Sequence, residues 1–188
     1  MIREFDGVFL LETAATAYVF RVLPTGHLQH VYYGKKLELG LDAAGEDPQR
    51  QKELVHAAAE AMAAKYANAN GCSVVYDQAH PAWTMNDLAL EVSGPGTGDF
   101  RSPAVEVVFA DGTRTVDLIF EKAEVLTGAS TRVTLPCAYD ETGAAQTLKL
   151  TLKEKCRPLA LELYYTVFAE CDVITRSCTL VNRGTAPV

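Results

Sequence analysis

Most of the familiar signatures of enzyme chemistry are missing from this chain. It has no CxxC pair, no Walker-type phosphate loop, no Rossmann fingerprint, no GxSxG elbow and no HExxH. That removes the usual sequence grounds for a nucleotide-driven, nicotinamide-dependent, serine-hydrolase or zinc-peptidase reading, and no cofactor or metal is expected. Cationic charge is also scarce. Lys and Arg number 17 against 24 Asp and Glu, a net charge of −7, which argues against nucleic acid or an anionic membrane as a partner. No apolar run approaches the roughly 20 residues of a membrane span, and no basic segment followed by an apolar core opens the chain. The five cysteines, Cys72, Cys137, Cys156, Cys171 and Cys178, are odd in number and widely spaced. They are expected as reduced thiols packed like small apolar residues in a cytoplasmic protein.

What is present is β-patterned. At 188 residues, with 48% apolar content, the chain suits one substantial domain. Glu4 to Thr13, Ala17 to Leu23, His27 to Tyr33, Cys72 to Asp77, Leu88 to Val92, Ala104 to Phe109, Thr115 to Gly128, Arg132 to Tyr139, Leu159 to Phe168 and Val173 to Val181 all read as strands. Thr147 to Lys153 alternates strictly, which predicts leucines inward and polar residues on a wet face. Asp111-Gly112, between two β-rich runs, is a hairpin signal. One helix is predicted around residues 48–67. Asp47 would cap it, Pro48 would open it, Asn70-Gly71 would stop it, and Leu54, Val55, Ala58, Met62 and Tyr66 would form its apolar stripe. Ten to twelve strands joined by short turns predict a mainly β protein, a large antiparallel β-sandwich.

Few positions suggest chemistry. His27 and His30 lack a third nearby metal ligand, so ordinary strand roles are expected for them; with Tyr32, Leu28 and His30 would share one face, opposite Val31 and Tyr33. His56 lies beside the helical stripe as a boundary residue. Trp83, the lone tryptophan, offers either a plug beneath its loop or a flat face for a pyranose. Ser93 to Pro103 holds three glycines and two prolines, a composition for a fixed loop path. Within it Asp99 and Arg101 point the same way with Phe100 opposite. On physics alone an ordinary connection with a solvated charged pair is the favoured reading over a shaped loop at a sheet rim. No pair among the 24 carboxylates can be assigned to glycoside chemistry by spacing alone.

Several segments then fall in a familiar order: Phe9-Leu-Leu-Glu-Thr13, Thr16-Ala-Tyr-Val-Phe20, Gly26-His-Leu-Gln-His-Val-Tyr-Tyr-Gly34, Leu90-Glu91, Gly98-Asp-Phe-Arg-Ser-Pro-Ala104, Leu135-Pro136, Leu163-Tyr-Tyr-Thr-Val-Phe168 and Asp172-Val-Ile-Thr-Arg-Ser177. Together they resemble the amino-terminal part of α-galactosidases of glycoside hydrolase family 36, from about Phe5 to Asn182. The resemblance implies a β-supersandwich domain, whole or most of one, over residues 1–188. In that family the domain precedes a (β/α)8 barrel that cleaves terminal α-galactosides of the melibiose or raffinose type with retention. The barrel's aspartates match nothing here, so the chain is expected to be an inactive amino-terminal fragment with no catalytic residue. Its implied partners are its own carboxy-terminal barrel, further copies in a tetramer, and α-galactoside sugars. Asn68, Asn70 and Trp83 lie where loops of such domains reach a neighbouring subunit's site. Asp99 and Arg101 match family positions, and that match implies a pair fixing the loop. A free-standing carbohydrate-binding module and a pure oligomerisation module are the alternatives.

Overall fold

In a computed structural model the described residues are 1–41, 47–64, 74–130 and 136–188. They contain eight strands: β1 (Ile2–Phe5), β2 (Val8–Glu12), β3 (Thr16–Val22), β4 (Leu28–Lys35), β5 (Leu118–Thr127), β6 (Gln146–Glu154), β7 (Leu159–Phe168) and β8 (Val173–Asn182). These form two four-stranded sheets, β1-β2-β3-β4 and β5-β6-β7-β8, antiparallel throughout. One α-helix, α1 (Pro48–Ala63), completes a mainly β sandwich.

The first strand expected, Glu4 to Thr13, is two strands. Asp6 and Gly7 both have positive φ, 48° and 80°, and Phe5 pairs with Val8. This is the backbone of a two-residue hairpin, for which Asp-Gly is a preferred sequence. The main core lies between the sheets. Phe9 stacks on Phe20 at 5.0 Å, and Phe20 on Tyr165 of the opposite sheet at 5.1 Å. Leu148, Leu150, Leu152, Leu161 and Leu163 fill the other inner face. The second face of the first sheet is covered too. Val8, Leu10, Val19 and Val31 pack against Val55 and Ala59 of α1. Coverage on both faces explains why every residue of β2 is buried.

The helix starts as expected: Asp47 Oδ1 accepts from the amides of Gln49 and Arg50 at 3.0 and 3.3 Å. Of the predicted stripe Val55 is buried and Met62 packs on the same cluster, while Ala59 and Ala63 complete the buried line. Leu54 faces outward, because small alanines permit closer approach to the sheet than the larger side chains would. Tyr66 and the predicted Asn70-Gly71 stop lie outside the described residues.

A register shift between Val19 and Phe20 pairs Val19 with Tyr32 and Phe20 with His30, so Val31 is the extra residue of a bulge. Val31 and Tyr32 therefore both belong to the helix-side cluster, while His30 and Tyr33 both pack on Tyr18. The expected grouping of Tyr32 with His30 is overturned by this inserted residue.

Among the described residues there are eight ladder strands, against ten to twelve expected for the whole chain; part of the expected strand Arg132 to Tyr139 lies outside them. Residues 104–109 alternate in burial, with Val107 and Phe109 in the core, yet join no ladder. Leu90 makes only an isolated bridge to Gln29, and 74–77 carry no strand. The Asp111-Gly112 turn does form: Gly112 N donates to Phe109 O at 2.8 Å and Phe109 N to Thr113 O at 3.0 Å. On β6 the leucines do point inward, but Thr147 and Thr151 opposite them are buried as well, so that face is not simply wet. Cys137, Cys156, Cys171 and Cys178 are free and exposed rather than packed inside; Cys72 lies outside the described residues.

Candidate functional site

The recurring segments meet at one buried carboxylate, Glu91, whose side chain is 1% exposed. Leu90-Glu91 is laid along β4 by hydrogen bonds from His30 N to Ala89 O and from Glu91 N to Leu28 O. Tyr18 of β3 donates its hydroxyl to Glu91 Oε1 at 2.8 Å, and His30 of β4 donates from Nδ1 to the same oxygen at 2.9 Å. Tyr165 of β7 donates to Oε2 at 2.6 Å. Arg176 of β8 donates to the Glu91 carbonyl and lies 3.8 Å from Oε2, with its guanidinium over the Tyr165 ring at 5.5 Å. Burial opposes ionisation of Glu91, but the hydrogen bonds from His30, Tyr165 and Tyr18, with Arg176 nearby, outweigh it and hold the carboxyl below its ordinary range. Burial, reinforced by the Glu91 charge, pushes both phenols well above theirs. This hub joins the two sheets and is consumed by its own donors. A carboxylate so enclosed is a structural tie rather than a reacting group.

The glycine-rich loop is fixed by a second device. Arg101 donates from Nε to Asp99 Oδ1 at 2.7 Å and from Nη2 to Oδ2 at 2.8 Å, the bidentate geometry a guanidinium favours. It also donates to the carbonyls of Leu88 and Met85. Met85 belongs to a single 3-10 turn, Met85–Asp87. Asn86 of that turn accepts from Phe100 N at 3.2 Å. The Asp99 side chain is wholly buried, while Arg101 is 40% exposed. Gly96 has φ 95°, and a Cβ there would meet Thr115 Cγ2 at 2.6 Å, so both conformation and contact require glycine.

Beside this loop lies an open cavity of about 630 Å³, lined by Val74, Tyr76, Asp77, Gly96, Asp117, Lys155 and others. Its floor is a polar relay. Thr25 Oγ1 meets His27 Nδ1 at 2.9 Å, and His27 Nε2 donates to Asp117 Oδ1 at 2.9 Å. Tyr76 donates to Asp117 Oδ2 at 2.7 Å, and Lys155 donates to the Tyr76 hydroxyl at 3.1 Å. A carboxylate only accepts, so His27 carries its proton on Nε2. Burial opposes ionisation of Asp117, yet the bonds from His27 and Tyr76 keep its carboxyl below the usual range. Burial and the bond to Asp117 push the Tyr76 hydroxyl up to about 12.

The structure thus joins Asp99 to Arg101 but, among the described residues, gathers no site around Trp83. Trp83 is partly buried, with its backbone bonded to Tyr76 and His80. Asn68 and Asn70 lie outside the described residues. His56 donates from Nε2 to Phe5 O at 2.8 Å. Sequence reading did not pick out Glu91 or Asp117, because their donors come from positions up to 90 residues away. The only available signal was the co-occurrence of Tyr18, His30, Glu91, Tyr165 and Arg176 in the recurring segments.

Comparison with known proteins finds relatives over nearly the whole chain. The bifunctional α-galactosidase/sucrose kinase AgaSK of Mediterraneibacter gnavus is 31% identical over 96% of this chain, which covers 17% of that protein. The α-galactosidase of Lactobacillus brevis has a solved structure that superposes over 92% of this chain with TM-score 0.73 and 27% identity, across 21% of its own length. AgaA of Geobacillus stearothermophilus, solved in complex with raffinose, superposes over 94% with TM-score 0.77 and 27% identity, across 22% of its length. The chain therefore spans about a fifth of the length of the relatives it matches. A family model matches residues 26–188, and with it the chain belongs to the N-terminal domain of glycosyl hydrolase family 36.

Proposed function

We propose that this chain is the amino-terminal, non-catalytic domain of an α-galactosidase that hydrolyses terminal α-galactosides of the melibiose or raffinose type. In that role it supports a downstream (β/α)8 barrel and helps assemble a homo-oligomer in the cytoplasm. The observation that carries the reading is the convergence of the recurring segments on Glu91. Five of them supply a donor or the acceptor of one enclosed hub, which is what a shared scaffold needs and leaves no room for a sugar. The relatives' names, and the fifth of their length that the chain spans, support the rest.

The edge of β8, unpaired among the described residues, supports a continuation of the sandwich past residue 188. β8 is a ten-residue edge strand without proline. Its row facing the core side, Arg176, Cys178 and Leu180, is exposed, although the same row of β7, Leu161 and Leu163, is buried. Long bare edges are normally covered. Asn68, Asn70 and Trp83 remain the residues assigned to a neighbouring subunit's sugar site.

The test is turnover of a chromogenic α-galactoside by the full-length protein and by residues 1–188. Hydrolysis by the former and none by the latter is the expected result; turnover by 1–188 refutes the non-catalytic role. Saturable heat on titrating 1–188 with galactose, raffinose or melibiose, lost in Trp83→Ala, would instead assign a carbohydrate-binding module.

A further inference from the structure

The Gly98-Asp-Phe-Arg-Ser-Pro-Ala104 segment takes no part in the Glu91 hub, yet it is tied down by side-chain hydrogen bonds of its own. Four side-chain hydrogen bonds from Arg101 and one from the Phe100 amide hold its two flanks. Between those anchored flanks the Phe100 ring is 70% exposed. Val74, whose Cβ would lie 3.6 Å from a Cβ built on Gly98, is 52% exposed.

A single exposed apolar residue is ordinary. Phe100 differs because the backbone on each side of it is already immobilised. An aromatic ring on a preformed loop loses little entropy on docking, and such rings are typical energetic centres of interfaces. We propose that Phe100 is an anchor that inserts into an apolar pocket on the polypeptide following residue 188. This rests on the reading that the chain is the first part of a longer α-galactosidase.

The extent of the feature selects the occupant. One ring and one valine fall far short of the roughly 1,000 Å² that a separate protein partner needs. A partner on the same polypeptide sits at an effective concentration in the millimolar range, where one anchor suffices. Relatives of which this chain covers 17–22% carry most of their length outside this domain.

Hydroxyl-radical footprinting of the full-length protein tests this, with oxidation of each residue normalised to its intrinsic reactivity. Phe100 should be protected several-fold relative to Tyr33, another exposed aromatic of this domain. Phe100→Ala should lower the full-length unfolding temperature, whereas Phe100→Tyr should retain it. Oxidation of Phe100 at the normalised rate of Tyr33 overturns the proposal. So does protection that disappears on dilution, which would give the pocket to a second copy. Galactosidase activity of the same sample reports separately on the functional reading.

Discussion

Tyr165 on β7 donates its hydroxyl to Glu91 Oε2 at 2.6 Å, so a residue of one sheet closes a hydrogen bond with the segment bridged to the other. Glu91 is thereby the polar counterpart of the Phe9, Phe20 and Tyr165 stack. The stack supplies area, and the carboxylate fixes how the sheets lie.

Removing that carboxylate strands its donors. Glu91→Ala leaves Tyr18, Tyr165 and His30 facing a void beside Arg176 and should cost about 3–5 kcal/mol. Glu91→Gln keeps the volume and should cost less. Urea unfolding of each variant measures both; a wild-type midpoint for Glu91→Ala would show the hub to be dispensable.

The loop clamp should discriminate between two cations. Arg101→Ala leaves the wholly buried Asp99 side chain without its charge partner, at about 1–3 kcal/mol. Arg101→Lys retains the charge but not the fork, and cannot reach Asp99, Leu88 and Met85 together. Both should unfold earlier, with Lys intermediate. Equal stability of Arg101→Lys and wild type would mean that charge alone holds the loop.

Acid should loosen the fold in a defined direction. The Glu91 and Asp117 carboxyls are held below their ordinary values of 4.5 and 3.8, so the folded state binds fewer protons than the unfolded one. Their contribution is present above those values and is lost as pH falls through the lower folded ones. The urea midpoint should fall below about pH 4, and Asp117→Asn should flatten part of that decline. A decline of unchanged steepness in Asp117→Asn would remove Asp117 from the account.

Gly96→Ala places a Cβ against Thr115 Cγ2 and on a backbone with φ 95°, which should cost about 1–3 kcal/mol. Gly112→Ala shares the positive φ, 80°, but meets nothing within 4 Å. Thermal unfolding should therefore rank Gly96→Ala below Gly112→Ala; the reverse order would place the strain elsewhere.

Local chemistry made much of this protein legible in its sequence. The Asp47 cap, the Pro48 start, β7 over Leu159–Phe168 and the inward leucines of β6 each depend on near neighbours or on a two-residue period. Asp6-Gly7 carries the same kind of signal, a two-residue turn inside a run whose apolar content otherwise reads as one strand. The segment 104–109 shows the limit of periodicity: alternation reports which side chains are buried, not whether a neighbouring strand is present to pair.

The sequence by itself determined the β patterning, the helix start, the turn chemistry and, through its ordered segments, the family. Only the tertiary structure decided the bulge at Val31 that regroups His30 with Tyr33, the seating of α1 on Val55, Ala59 and Ala63, and the hub at Glu91. A buried carboxylate is stable only when donors surround it in space. Here those donors lie on β3, β4, β7 and β8, so the site exists only once the two sheets have closed on each other.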